Sequence, residues 1–340
     1  MKKIFLLYLV FILLMLTGCI GISAGNEPLE IPDDAFISRM FYADENLYAI
    51  RSEGGYSYIS HESSNPVHCY RLAEFSGGNH GDPIWHAPSG RLYFSNGHKV
   101  YSSDLSANGK ELLWKFPRER KEDYARIMAV SDDCLVVCGF RWWSGQYPNR
   151  DYYSVNISTG GAVKLLDEVP SVRDPIVLCC YENTALFAQK DGQNLRVLSF
   201  DLLSGESREL GRIAYEDRIY TANGVVLNDT LYFICENDGI YSVPFSGGTI
   251  EYRRPDTAQM SILMNRLIAI EAYNDTLYIL MGFGYDGFTT LCGWEPTANT
   301  LYTVAATDHT FSATGFALGN NTYSIFARSK YLSGELTAGK

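Results

Sequence analysis

The chain has 340 residues, 46% of them hydrophobic, 20% charged and 14% aromatic, a balance that excludes intrinsic disorder, collagen and coiled coil. A formal charge of −11 argues against a general nucleic-acid binder. Twenty-four Tyr, 17 Phe and 30 Gly favour strands and turns over helices.

Met1-Lys2-Lys3 is a short basic start, followed by a continuous apolar run from Ile4 to Leu16. That run is short for a membrane span and suits the core of a signal peptide. Leu16-Thr17-Gly18-Cys19 follows directly. The three parts, in this order, resemble the bacterial lipoprotein signal, or lipobox. The resemblance implies cleavage before Cys19 and lipidation of that thiol. Residues 1–18 are then the signal peptide and 19–32 a lipidated tether. Residues 33–340 form a single domain on the extracytoplasmic face, held to the membrane by its lipid. Several acyl chains on one residue, at about 0.8 kcal/mol per buried CH₂, give stable anchoring.

Of eight cysteines, seven remain after Cys19, an odd number. Cys134 and Cys138 share one face of an apolar strand but lie roughly 13 Å apart, too far to bridge. Cys179 and Cys180 are adjacent and point to opposite faces. Buried small hydrophobes, not a disulfide framework, are expected.

From residue 45 onward one pattern recurs: a tight polar turn, then an apolar or aromatic strand. It reads Glu45-Asn46-Leu47-Tyr48, Gly90-Arg91-Leu92-Tyr93, Asp132-Asp133-Cys134-Leu135 and Asn183-Thr184-Ala185-Leu186. It continues at Asn228-Asp229-Thr230-Leu231, Asn274-Asp275-Thr276-Leu277 and Asn320-Asn321-Thr322-Tyr323. The strands begin near 47, 92, 135, 185, 231, 277 and 323, a spacing of about 45 residues. Between them a second turn recurs, as in Ser106-Ala107-Asn108-Gly109, Ser158-Thr159-Gly160-Gly161 and Ser246-Gly247-Gly248. Each unit therefore holds four short antiparallel strands, A to D. The expected fold is all-β, a seven-bladed β-propeller of four-stranded antiparallel blades. Six blades with extra strands is the alternative.

The units resemble the YWTD and PQQ-like repeat propellers of bacterial surface lipoproteins. Val100-Tyr101-Ser102-Ser103-Asp104-Leu105, running on to Leu113-Trp114-Lys115-Phe116, is the most PQQ-like stretch. The Tyr-Trp-Thr-Asp tetrapeptide is absent. Such a resemblance speaks to fold and little to activity. The last unit is short after Ala327, so the segment around Leu29-Glu30-Ile31 is expected to supply its missing outer strand.

In a propeller the tight A–B and C–D turns share one face, and the B–C and D–A loops share the other, where ligands usually bind. Each unit carries an Asp before its first strand: Asp34, Asp82, Asp123, Asp174, Asp217, Asp256 and Asp308. These read either as turn caps or as an acidic rim that steers a cation or basic peptide. Two B–C loops are long and aromatic. They carry Arg141, Trp142, Trp143, Tyr147 and Arg150 in the third unit, and Phe283, Tyr285 and Phe288 in the sixth. Such residues either pack on neighbouring loops or anchor a partner, because they bury large areas and keep a polar handle. His80, Asp82 and His86 carry ligand-type side chains at a spacing that matches no metal motif; loop histidines are expected, with no metal site.

No G-x-S-x-G, H-E-x-x-H, P-loop or dinucleotide fingerprint is present, and no cofactor is expected. The sequence reading is a monomeric, non-enzymatic binding module for a protein, peptide or glycan, using the loop face. The alternatives are a polysaccharide-acting hydrolase or lyase and an envelope scaffold.

Overall fold

A computed structural model describes residues 28–31, 35–74, 83–141, 149–169, 175–215, 222–235, 239–253, 266–283, 288–307, 311, 313–327 and 329–336. Seven antiparallel sheets follow one another along the chain. Blade 1 holds β1 (Phe36–Ala43), β2 (Asn46–Glu53), β3 (Tyr56–His61) and β4 (His68–Glu74). Blade 2 holds β5 (Ile84–His86), β6 (Arg91–Asn96), β7 (Lys99–Ser103) and β8 (Glu111–Lys115). Blade 3 holds β9 (Tyr124–Val130), β10 (Cys134–Arg141), β11 (Asn149–Asn156) and β12 (Ala162–Val169). Blade 4 holds β13 (Ile176–Tyr181), β14 (Thr184–Asp191), β15 (Asn194–Asp201) and β16 (Ser207–Ala214). Blade 5 holds β17 (Ala222–Leu227), β18 (Thr230–Cys235), β19 (Ile240–Pro244) and β20 (Glu251–Arg253). Blade 6 holds β21 (Arg266–Tyr273), β22 (Thr276–Phe283), β23 (Phe288–Glu295) and β24 (Thr300–Ala306). Blade 7 holds β25 (Gly315–Gly319), β26 (Thr322–Phe326) and β27 (Tyr331–Glu335). The chain is thus a seven-bladed propeller, and the six-bladed alternative falls. A single 3-10 turn, Ala87–Ser89, is the helical element among the described residues.

First strands line the ring: β9 lies against β13, β13 against β17, β17 against β21, β21 against β25, and β25 closes on β1. The apolar core divides into seven clusters, one at each blade junction. Second strands are covered on both faces, so β10 is buried from Cys134 through Phe140. This is why they read as apolar runs with no polar alternation. Outer strands such as β8 have one wet face.

Three of the A–B turns are the Asn pairs picked out in the sequence, and in blade 1 the turn lies one residue earlier than the Glu45-Asn46 read there. Both residues adopt positive φ at Asp44-Glu45 (48° and 69°), Asn228-Asp229, Asn274-Asp275 and Asn320-Asn321. That is the geometry of a two-residue hairpin whose twist matches its strands. Glu45 is the least suited of these residues, since a long side chain gains nothing from the left-handed region. Replacing Asp44-Glu45 by Asn-Gly is expected to stabilise the protein by about 1 kcal/mol, read as a higher urea midpoint at constant slope; a lower midpoint would contradict the turn assignment. In the C–D turns the organising residue stands before the Ser/Gly signal. Asp104 Oδ1 accepts from the amides of Ser106 and Asn108. Asn156 accepts from Ser158 and Thr159, and Asp201 from Leu203 and Ser204.

Ring closure departs from the sequence expectation. Blade 7 has three strands among the described residues, and Leu29 does not supply a fourth. Its amide donates to the carbonyl of Cys69 at 2.7 Å, in an antiparallel bridge to β4 on blade 1. β4 is the outermost strand of its sheet, and its free edge offers backbone groups to a further segment. Leu29 therefore belongs to the propeller and not to a free tether. The ring instead closes by side chains: Tyr42 and Ser324 hydroxyls meet at 2.8 Å, and Ile37, Met40, Leu47 and Ala49 pack on Ala317 and Phe326.

The described cysteines, Cys69, Cys134, Cys138, Cys179, Cys180, Cys235 and Cys292, are all free. Burial pushes the thiols up, to about 11 for Cys69 and about 12 for Cys179 and Cys292. These are inert packing thiols.

Candidate functional site

On the loop face the described part of the third-blade hairpin is a braced stalk. Arg141 Nε donates to Asp151 Oδ2 at 2.8 Å, and its NH1 donates to Glu119 Oε1 at 2.7 Å. Asp151 is completely buried. The Arg141 guanidinium lies 5.1 Å from the Phe116 ring centre. A Cβ on Gly139 would sit 2.1 Å from that ring, so only glycine lets Phe116 lie against the strand. Arg150 covers the Phe140 ring at 5.0 Å, and Phe140 stacks on Tyr124 at 4.5 Å with planes 6° apart. Two cation–π contacts and one buried ion pair therefore grip the root of the loop. Trp142, Trp143 and Tyr147 lie outside the described residues. In the sixth blade Phe283 and Phe288 are cross-strand partners at the end of β22 and β23, and Tyr285 lies outside the described residues.

Of the seven aspartates, Asp123 is described. It is buried, and its Oδ2 accepts from the amides of Glu119 at 2.9 Å and Arg120 at 3.0 Å, a turn cap that also holds the Glu119 partner of Arg141. Asp34, Asp82, Asp174, Asp217, Asp256 and Asp308 lie outside the described residues, as do His80 and Cys19. His86 is buried, with Nδ1 2.8 Å from the Ser89 hydroxyl, and burial lowers its pKa. Among the described residues no group of three or more His, Cys, Asp or Glu converges as a metal site.

A second site lies on the opposite face, where the tight turns are. A cleft of about 450 Å³ opens between blades 1 and 2, lined by Asp44, Tyr48, His61, Tyr70, Trp85, Ala87, Gly90, Asp104, Leu105 and Ser106. Its spine is a run of stacked rings. Trp85 lies 5.7 Å from Phe41, Phe41 lies 5.7 Å from Tyr48, and Tyr48 lies 4.6 Å from His61. Phe41, Tyr48 and His61 occupy neighbouring strands at matched register, so one sheet face carries three of the rings. Trp85, on β5, comes from the next blade. Burial, then the nearby Asp44 carboxylate and Tyr70, raise the Tyr48 pKa. Trp85 Nε1 and His61 Nε2 are buried and have no hydrogen-bond partner among the described residues. The sequence reading placed Tyr48 and Ser106 in repeat turns and strands and did not single out Asp44. The usable signal was the cross-strand pairing of Tyr48 with His61 beside two acidic turns.

Among the described residues one carboxyl is pushed upward. Glu271, on the first strand of blade 6, is pushed up to about 7 by burial, against the opposing pull of Arg39 on β1.

No family model matches the chain, and no curated protein matches it. Solved structures match across almost its whole length. One is oligogalacturonate lyase from Vibrio parahaemolyticus, at 12% identity and TM-score 0.58, covering 89% of this chain and 92% of that one. Another is Sqt1 of Saccharomyces cerevisiae, at 11% identity and TM-score 0.57, covering 93% and 87% respectively. A third is the computationally designed protein Ika8, at 10% identity and TM-score 0.54, covering 92% and 100%. An enzyme, a yeast protein and a designed protein share the architecture, so these likenesses establish the propeller fold and no activity.

Proposed function

We propose that the chain is a lipid-anchored extracytoplasmic propeller that acts as a non-enzymatic binding module, gripping a protein, peptide or glycan through its loop face. The observation that carries this reading is the braced root of the third-blade hairpin: Arg141 on buried Asp151 and on Glu119, with Arg150 over the Phe140–Tyr124 stack. Trp142 and Trp143 follow Arg141 directly in the sequence, and a rigid attachment point lowers the ordering cost of binding through them. The lipobox-like Leu16-Thr17-Gly18-Cys19 supports the anchor.

The full chain in detergent, probed on glycan and peptide arrays, is expected to give a hit. The Trp142→Ala/Trp143→Ala double variant should weaken that hit by about 30-fold or more, the scale of an aromatic anchor. Unchanged binding in the variant, or no hit, rejects the loop face as the seat. Palmitate labelling of the expressing cell tests the anchor: Cys19→Ala should lose the label and release the chain from the membrane fraction.

One feature favours the enzyme reading: burial on the first strand of blade 6 pushes the Glu271 carboxyl up to about 7, the range that acid–base catalysis uses. Turnover of a neutral polysaccharide that Glu271→Gln abolishes would select it.

A further inference from the structure

On a chain of net charge −11, the loop face of blades 2 and 3 carries a cluster of cations. The B–C turn of blade 2 contributes His98 and Lys99, the end of β8 contributes Lys115, and the loop into blade 3 contributes Arg118, Arg120 and Lys121. Backbone bonds fix these segments together: the Phe116 amide donates to the His98 carbonyl at 2.7 Å, and the Ala125 amide to the Gly97 carbonyl at 2.9 Å. Lys99 and Lys115 stand directly opposite each other on β7 and β8, a like-charge pairing that works against the sheet. Among the described residues neither of them, nor Arg118, is held by a carboxylate. Lys115 and Arg118 are exposed and Lys99 is half-buried. His98 sits among the three: burial first, then Arg118, Lys99 and Lys115, hold its pKa down.

Read as sequence, Arg118-Glu119-Arg120-Lys121-Glu122-Asp123 is a mixed run whose charges offset one another. The fold sorts them. Asp123 is buried, with Oδ2 accepting from the Glu119 and Arg120 amides. Glu119 Oε1 accepts from Arg141 NH1. Two of the run's three carboxylates therefore serve the protein's own donors, while Lys115 and Arg118 are left to solvent beside Lys99.

We infer that this patch binds the anionic groups of an acidic glycan, a polysaccharide chain that bears carboxylate or sulfate. The inference rests on the loop-face reading and names its ligand class. Two ammonium groups on paired strands converge on one anion, which relieves their mutual repulsion. The Arg141–Glu119 bond joins the patch to the root of the third-blade hairpin. Trp142 and Trp143 follow Arg141 in the sequence, and aromatic rings suit the faces of sugars. A neutral glycan gains nothing from the cations, and a basic peptide is repelled by them. An acidic peptide takes its affinity from apolar anchors seated in the partner. The patch offers it no such seat among the described residues: the exposed hydrophobic nearest in the chain, Leu112, stands at the other end of β8.

The test titrates the full chain in nonionic detergent with dextran, carboxymethyl dextran and dextran sulfate of one chain length, and with poly-L-glutamate. At least one charged dextran is expected to bind, with dextran and poly-L-glutamate at least about tenfold weaker, and binding should fall as salt is raised. The stronger of the two charged dextrans identifies carboxylate or sulfate as the group read. Lys99→Gln/Lys115→Gln/Arg118→Gln should weaken binding about tenfold or more, the scale of three exposed charge contacts. Arg118→Gln, at an exposed loop position, should weaken it about 2- to 3-fold and decides the matter should the triple variant fold poorly. No charged dextran bound, full affinity in both Gln variants, or poly-L-glutamate binding as tightly as the charged dextrans overturns the inference. The Trp142→Ala/Trp143→Ala variant keeps the two readings apart. Loss in that variant and in the triple Gln variant upholds both. Loss in the triple Gln variant alone supports the patch and rejects the Trp pair as part of the seat. A neutral array hit that the Trp variant loses, with no charged dextran bound, overturns the inference and leaves the loop-face reading standing.

Discussion

Glu62→Ala is expected to cost about 3–5 kcal/mol of stability and to loosen the propeller where it closes. Glu62 receives Arg51 NH2 at 2.9 Å and Nε at 3.1 Å, and Arg51 Nε also reaches Ser60 at 3.0 Å. The two charged side chains are only 9% and 4% exposed. Both act on Tyr331 of β27, which places the pair at the seam of blades 7 and 1. Among the described residues that seam holds the smallest of the seven apolar clusters. Other propeller junctions here have more buried hydrophobics to share the load, for example the thirteen between blades 4 and 5. Removing the carboxylate leaves a guanidinium buried without its counter-charge, which is the costly half of a broken pair. Adding Arg51→Met should recover most of the loss, because an apolar replacement of both partners leaves nothing unpaired. Urea unfolding measures both. In native-state hydrogen exchange, β1 and β25–β27 should lose protection in the single variant before β10 or β14 does. A cost below about 1 kcal/mol, or uniform loss of protection around the ring, would show that the seam is not where the pair acts.

Glu271→Gln is expected to work the other way, stabilising the protein at about pH 8 and leaving it nearly unchanged at about pH 4. The carboxyl titrates at 4.5 in its ordinary state and at about 7 when folded. Between those values the folded chain holds a proton that the unfolded chain has released. The parent's stability is therefore full below about pH 4.5 and falls as pH rises through 7, where a charge must sit in low-dielectric surroundings. A gap of two to three pKa units has a ceiling of about 3–4 kcal/mol. Partial exposure of the side chain reduces the expected gain to about 1–3 kcal/mol. Unfolding of parent and variant at several pH values reads the difference directly. A difference that does not widen between pH 4 and 8 would mean that Glu271 is not the raised group.

Much of the architecture was readable from single residues. The turns at Asn228-Asp229, Asn274-Asp275 and Asn320-Asn321 sit in left-handed backbone that few other residue pairs tolerate. The strands that follow them start within about one residue of the expected positions, because turn chemistry acts over two residues and leaves little room for error. The free cysteines were readable for a similar reason: Cys134 and Cys138 stay on one strand. The Asx turns of Asp104, Asn156 and Asp201 were half readable. The Ser/Gly signal was seen, and the capping residue two or three places earlier was not.

Local sequence thus decided the repeat, the turn types, the strand starts and the number of blades, since each depends on φ/ψ preferences and apolar runs spanning a few residues. Three things were decided by the folded ring. Leu29 pairs with Cys69 on blade 1 because β4 presents an unpaired edge there, and no local pattern reveals which of several edges a terminal segment meets. Trp85 stacks on Phe41 because blade 2 is turned against blade 1, so the cleft exists only between units and not within one. Glu271 has a raised pKa because packing around the first strand of blade 6 strips its carboxyl of water. Turns and strands are written in neighbours along the chain, whereas edges, clefts and local dielectric are properties of what surrounds a residue in space.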